Sequence, residues 1–270
     1  MSHIEGTLHA QVTGDDAAPP LVFVHPNPMD GSSWLYQVTH FSTWYRCVTI
    51  DLPGYGRSPR ARDGVDLPEI AHACWQALDR VSAAEGVVLV GCSVGSTVVQ
   101  HMYHLRPQQT QALVVSGAGW RPEKDFTHRM TSYREQGLEY RYDYTLDTFS
   151  PAFRDAHLAH WFARLFSERN GTADLATILR MFEALEVQDP PWLQGDLAAP
   201  VLIVTGELDI AHQAAFALRD RLPHAELVTV PRTGHACHLE QPWTFDAAMM
   251  RFLRAHGHDH LPEPPAPAHG

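Results

Sequence analysis

A chain of 270 residues with 44% hydrophobic and 19% charged residues is long enough for one large domain with a sizeable core, or for a core domain carrying an insertion. Its formal net charge of -11, with no basic run to offset it, argues against a nucleic-acid or anionic-membrane surface and for a small neutral or cationic partner. Met1-Ser-His-Ile-Glu-Gly-Thr7 lacks the basic-then-apolar pattern of a secretion signal, no window has the apolar length of a membrane span, and the four cysteines (47, 74, 92 and 237) show no C-x-x-C spacing, so a cytoplasmic protein with structural thiols is expected.

Along the chain, residues 7–13 alternate as a strand, 14–20 make a polar turn and 21–24 form a short buried strand. A short helix fits 33–41 and the next strand 45–50. The stretch 66–81 has an Asp cap, Pro68 in its first turn and apolar residues at 67, 70, 71, 74, 77, 78 and 81, which predicts an amphipathic helix. Residues 87–90 read as a buried strand that breaks into Gly91-Cys-Ser-Val-Gly95 and continues as a helix ending before Pro107. Strands at 112–115, 201–204 and 226–230 follow, with helices near 211–221 and 242–254. Strands separated by helices predict an α/β fold with a doubly wound, mostly parallel β-sheet.

The alternation stops between about 120 and 197. Ser150-Pro151 signals a helix start, Leu158, Trp161, Phe162, Leu165 and Phe166 form one apolar stripe, and a second helix begins near Thr172. A helical insertion there looks like a lid over the carboxyl ends of the strands. The expected organisation is therefore a core at 1–119 and 198–255, a helical cap at 120–197, and a disordered His- and Pro-rich tail at 256–270. His256-Gly-His-Asp-His260 can take up adventitious metal, but no functional metal site is expected. With neither a phosphate-cradling loop nor a dinucleotide fingerprint, no organic cofactor is expected.

Ser93 sits on a strand-to-helix turn, the context in which G-x-S-x-G becomes a candidate nucleophile elbow: Gly91 and Gly95 leave room for a tight turn and the Val94 amide points at whatever the hydroxyl attacks. A serine hydroxyl needs a neutral imidazole to take its proton. Among 18 histidines, His235 lies in a Gly-His turn just past the last strand, with His238 as its rival. Asp209, in the loop after the strand at 201–204, can orient that imidazole, and Glu207 is the runner-up; the order Ser, Asp, His results. Cys92 and Cys237 fall inside these motifs, so thiol reagents could inhibit without either thiol being the nucleophile.

With Gly91–Gly95, Asp51-Leu-Pro-Gly-Tyr-Gly-Arg-Ser58, Gly206-Glu-Leu-Asp209, and Gly234-His235 followed by His238-Leu-Glu-Gln-Pro242, the chain resembles α/β-hydrolase-fold proteins over roughly residues 5 to 254. The Asp51–Ser58 stretch reads as a structural turn. The segment from Val22 to Trp34 occupies the place of that family's oxyanion loop, with Pro26 where a glycine is usual. Proline has no N–H, so the resemblance assigns the oxyanion donors to the backbone amides of Asn27 and Val94; one of the X-Pro bonds at 26 and 28 could be cis. The His-x-Asn-Pro string is also similar to haloalkane dehalogenases, whose carboxylate nucleophile Ser93 replaces.

The resemblance implies a cofactor-independent serine hydrolase cleaving a small ester or lactone, with Ser93 attacking, His235 transferring protons and Asp209 orienting it. His25, Trp120, Tyr133 and Trp161 are candidate substrate contacts. Similar triads also run C–C cleavage of vinylogous diketones, carbamate or amide hydrolysis and peracid formation, and some members of the fold act as ligand-binding receptors or scaffolds. A small-molecule substrate, no nucleic-acid or membrane partner, and a monomer or homodimer are expected.

Overall fold

A computed structural model describes residues 2–118, 125–169, 173–187, 197–258 and 260. Its seven strands are β1 (Ala10–Thr13), β2 (Pro20–Val24), β3 (Arg46–Ile50), β4 (Val87–Cys92), β5 (Thr110–Ser116), β6 (Val201–Gly206) and β7 (Glu226–Val230), arranged in one sheet in the order β1-β3-β2-β4-β5-β6-β7. Only β1, shorter than the stretch expected from residue 7, runs antiparallel, against β3; the others pair in parallel.

Strand alternation decides which helices cover which face. In β2, Val22 and Val24 pack with α2 (Leu67–Arg80) and α3 (Val94–Leu105), whereas Leu21 and Phe23 pack with α1 (Leu35–Phe41) and α11 (Pro242–Ala255) on the opposite face. The same split repeats in β4, where Leu89 faces one layer and Val88 and Val90 the other. Asp66 caps α2 by accepting the Glu69 amide at 2.8 Å, and the Trp75 indole N–H reaches the Met102 carbonyl at 2.8 Å, fixing α2 against α3.

Between β5 and β6 lie α4 (Thr127–Gln136), α5 (Tyr140–Asp147), α6 (Pro151–Arg154), α7 (His157–Arg169) and α8 (Leu175–Val187). Ser150 caps α6 as its sequence suggests, but that helix stops at Arg154 and a turn at Asp155 and Ala156 separates it from α7. On α7, Phe162 and Phe166 are fully buried, while Leu158 and Trp161, at 40% and 50% exposure, fall outside the buried stripe. The remaining helices are α9 (His212–Arg221) and α10 (Cys237–Glu240). The expected tail does not begin loosely: the His258 amide bonds to the Leu253 carbonyl at 2.9 Å, and the His258 carbonyl accepts the Tyr45 hydroxyl at 2.6 Å. Among the described residues, no helix is long and apolar enough to cross a membrane.

The chain runs outward from β2 to β3 and then returns to place β4 on the other side of β2. That reversal opens a crevice at the carboxyl ends of β2 and β4. The residues that leave those two strands are His25–Asn27 and Ser93.

Candidate active site

Ser93 has φ 55° and ψ -119°, a conformation that L-residues adopt at a cost of about 1–3 kcal/mol. All six residues of β4 are buried, and each large apolar side chain among them contributes about 1.5–3 kcal/mol, so strand burial outweighs the strain. The Ser93 amide bonds to the Ser116 carbonyl at 2.8 Å. Below the turn, the Ser96 hydroxyl lies 2.8 Å from the carbonyl oxygens of both Gly91 and Ser116 and accepts the Ser116 amide at 3.0 Å. The glycines are there for space: a Cβ on Gly91 would sit 2.4 Å from the Gly95 carbonyl oxygen, and one on Gly95 would sit 2.2 Å from that of Val24.

The loop after β6 carries Asp209, whose side chain is fully buried and whose Oδ1 accepts the Ala211 amide at 2.8 Å. The loop after β7 brings His235 Nδ1 to 2.8 Å from the same oxygen. A carboxylate only accepts, so Nδ1 carries the hydrogen and Nε2 is left with a lone pair. The rivals go elsewhere. Glu207 accepts the Arg232 amide at 2.8 Å on the outside of the loop. His238 is fully buried with its ring centroid 4.5 Å from Trp34 and neither ring nitrogen partnered; burial drives its pKa down to about 3.

Ser93 and His235 line one cavity of about 370 Å³, together with Asn27 and Val94. Among the described residues neither amide named for the oxyanion has an acceptor: the Asn27 N–H makes no hydrogen bond there, and that of Val94 is the first of α3, where no intrahelical acceptor exists. The Asn27 side-chain oxygen accepts the Tyr55 hydroxyl, and the Asn27–Pro28 bond is cis.

The other described candidates, His25, Tyr133 and Trp161, lie outside the cavity. His25 is fully buried, with Nδ1 2.9 Å from the Pro26 carbonyl and Nε2 accepting the Leu52 amide at 2.9 Å, so both nitrogens serve the backbone, and burial lowers its pKa. Tyr133 is fully buried among Tyr140, Tyr144 and Phe182, and Trp161 is on the cap's outer surface. Trp120 falls outside the described residues. The cavity walls instead use Phe126, Tyr144, Phe149, Phe182 and Leu185. Among the described residues, no group of His, Cys, Asp and Glu side chains is arranged to hold a metal ion.

The model of the Alpha/beta hydrolase family matches residues 21–245. The chain belongs to that family. It is 26% identical over 262 residues to the dihydrolipoyllysine-residue acetyltransferase component of the acetoin cleaving system of Pseudomonas putida, covering 90% of this chain and 65% of that longer protein. With the pimeloyl-[acyl-carrier protein] methyl ester esterase of Vibrio campbellii it shares 27% identity over 244 residues, 85% of this chain and 91% of the relative. The fold is shared with the enol-lactonase of Burkholderia xenovorans at a TM-score of 0.81 and 19% identity, over 94% of this chain and 99% of that one.

In this hydrolase the loops of the site are braced by side chains of which Glu240 and Arg141 were singled out by no motif reading for the task. Glu240 accepts the Gly234 amide at 2.7 Å and the Ser150 amide at 2.9 Å through one oxygen, and the Ser150 hydroxyl at 2.6 Å through the other. It thereby ties the His235 turn to the cap. Arg141, almost fully buried, donates from Nη2 to the carbonyls of Pro28 at 2.6 Å and Phe166 at 3.2 Å, holding the loop after β2. Asp51, in the glycine-rich turn, accepts the Gly31 amide at 2.9 Å and the Arg57 amide at 3.0 Å, a structural part. Buried carboxylates were readable as loop anchors in principle; their partners were not.

Proposed function

We propose that this hydrolase cleaves a small ester or lactone through an acyl-enzyme on Ser93. The observation that carries the proposal is the joint opening onto one cavity of a strained strand-to-helix serine, a carboxylate-bound imidazole and two uncommitted backbone amides. His235 Nε2 takes the hydroxyl proton as Ser93 Oγ bonds to the carbonyl carbon, and the carbonyl oxygen gathers negative charge beside the amides of Asn27 and Val94. Collapse of the tetrahedral species breaks the C–O bond, the alcohol leaving with the proton from His235. Water, deprotonated by His235, then attacks the acyl carbon; the bond from that carbon to Ser93 Oγ breaks, His235 returns the proton to Oγ, and the carboxylic acid leaves. Asp209 fixes the tautomer and stabilises the imidazolium throughout. The relatives include a methyl ester esterase, and the fold is shared with an enol-lactonase, which supports an ester or lactone; carbamate hydrolases are also among the relatives.

The test is a fluorophosphonate probe with intact-mass and peptide mapping, beside p-nitrophenyl acetate and butyrate turnover. Label on Ser93, and turnover reduced by about 10³-fold or more in Ser93→Ala, is the expected result. Unlabelled protein with background turnover only would refute it.

A further inference from the structure

We propose that Arg129 makes this cavity selective for esters or lactones that carry a carboxylate remote from the bond being cleaved. The inference rests on the ester or lactone reading above and names its substrate class. The cavity wall mixes aromatic and aliphatic side chains with polar ones, and α4 presents Arg129 to it. Nη1 donates to the Tyr140 hydroxyl at 2.6 Å and to Asp147 Oδ2 at 2.9 Å, and the guanidinium carbon lies 4.0 Å from the centroid of the Tyr144 ring. Three contacts therefore hold the group still. Its Nε and Nη2 have no protein partner among the described residues and are not sealed from solvent. Those two nitrogens form one edge of the planar fork, whose parallel N–H groups match the two oxygens of a carboxylate. Tyr144 also lines the cavity, and its hydroxyl makes no hydrogen bond among the described residues.

Asp147 does not cancel this cation. Its other oxygen lies 3.5 Å from Arg154 Nη1, so two arginines share one carboxylate and the trio carries a net single positive charge. The cavity's other acid, Asp125, is fully exposed and accepts the Thr127 amide at 2.8 Å, where water screens it. The chain's overall charge of -11 favours neutral or cationic partners at long range, but screening over about 8–10 Å leaves the choice inside the cavity to Arg129. A single net charge suits a monoanionic carboxylate better than a doubly charged phosphate.

The test uses pairs that differ in one charge: monomethyl and dimethyl succinate, glutarate and adipate. Affinities are measured by ligand-observed NMR on Ser93→Ala, alone and combined with Arg129→Met or Arg129→Lys, and wild-type kcat/KM is measured for the same esters. For at least one chain length the monoester is expected to bind about 10- to 100-fold tighter than the diester, the worth of a charge-assisted hydrogen-bonded pair. Arg129→Met should abolish the preference and Arg129→Lys keep part of it. Equal binding of monoester and diester at every length, or a preference that survives Arg129→Met, overturns the proposal without needing any variant to be active. Should wild type neither label nor turn over esters while an Arg129-dependent monoester preference persists, the hydrolytic reading fails and the carboxylate site stands.

Discussion

Gly117→Ala tests whether the position of the His235 ring, and not its identity alone, limits turnover. Gly117 follows β5 with φ 58°, and a Cβ placed on it would lie 2.8 Å from His235 Cε1 and 3.0 Å from Nδ1, the nitrogen bound to Asp209. Ordinary contact for such a carbon begins near 3.4 Å, so the ring must retreat by roughly 0.6 Å. A 1 Å misplacement at a reacting centre costs about 10²-fold, so kcat on p-nitrophenyl butyrate should fall about 10- to 50-fold. The left-handed backbone adds about 1–2 kcal/mol of destabilisation. Gly137→Ala separates the two effects: Gly137 also has a positive φ, 66°, but nothing lies within 4 Å of its Cβ position. It should lose stability by urea titration and keep its kcat. Wild-type kcat in a folded Gly117→Ala protein, or equal kcat losses in both variants, would refute the reasoning.

The buried His238 gives stability a pH dependence whose sign is fixed: the folded state holds it neutral down to about pH 3, while the unfolded chain takes up a proton below about 6.5. Stability present above pH 6.5 is thus lost as pH falls, by about 2 kcal/mol at pH 5, and His238→Met should remove that part of the difference between urea titrations at pH 7 and pH 5; an unchanged slope would show that the ring is not the titrating group. All four cysteines are buried, and burial drives the thiol pKa values of Cys47 and Cys237 up to about 12, so native protein should react negligibly with a thiol-selective disulfide reagent and unfolded protein with four equivalents. Fast labelling coupled to loss of turnover would instead support the sequence-based expectation that thiol reagents inhibit. Glu240→Ala strips a charged acceptor from three donors and should cost about 3 kcal/mol of stability and lower kcat, with Glu240→Gln retaining part of both; unaltered kinetics in a folded Glu240→Ala would separate the brace from the chemistry.

The parts legible in the sequence are those whose physics is local. Gly91 and Gly95 are adjacent to Ser93, and the close approaches they permit involve the same strand-to-helix turn and the neighbouring end of β2. Apolar runs of strand length gave the sheet for the same reason. Residue type alone misplaced the substrate contacts: Tyr133 and Trp161 are aromatic and in the cap, yet one faces its interior and the other solvent. Arg141 was invisible because its acceptor, Pro28, is 113 residues away. The Ser150 partner of Glu240 is 90 residues away, whereas Gly234 is only six away and within the same motif. His25 illustrates a different failure. A histidine beside the oxyanion loop invites a chemical role, but the structure spends both nitrogens on the backbone of two loops.

Residues between β5 and β6 meet the cavity in two ways, and the proposed mechanism gives the two sets separate tasks. The segment at Thr148–Ser150 holds the His235 turn: the Thr148 carbonyl accepts the Ala236 amide at 3.0 Å and Ser150 meets Glu240, so that turn is clamped just past the end of α5. The wall built from Phe126, Arg129, Tyr144, Phe182 and Leu185 lines the same cavity from α4, α5, α8 and the residue before α4. Changes in that wall are expected to alter what fits and what is attracted, and at the buried Phe182 and Leu185 they also disturb side-chain packing. Changes at the clamp alter the geometry on which every substrate depends. On the proposed mechanism, substitutions on α4, α5 and α8 are therefore expected to change substrate preference while Ser93, Asp209 and His235 keep their places.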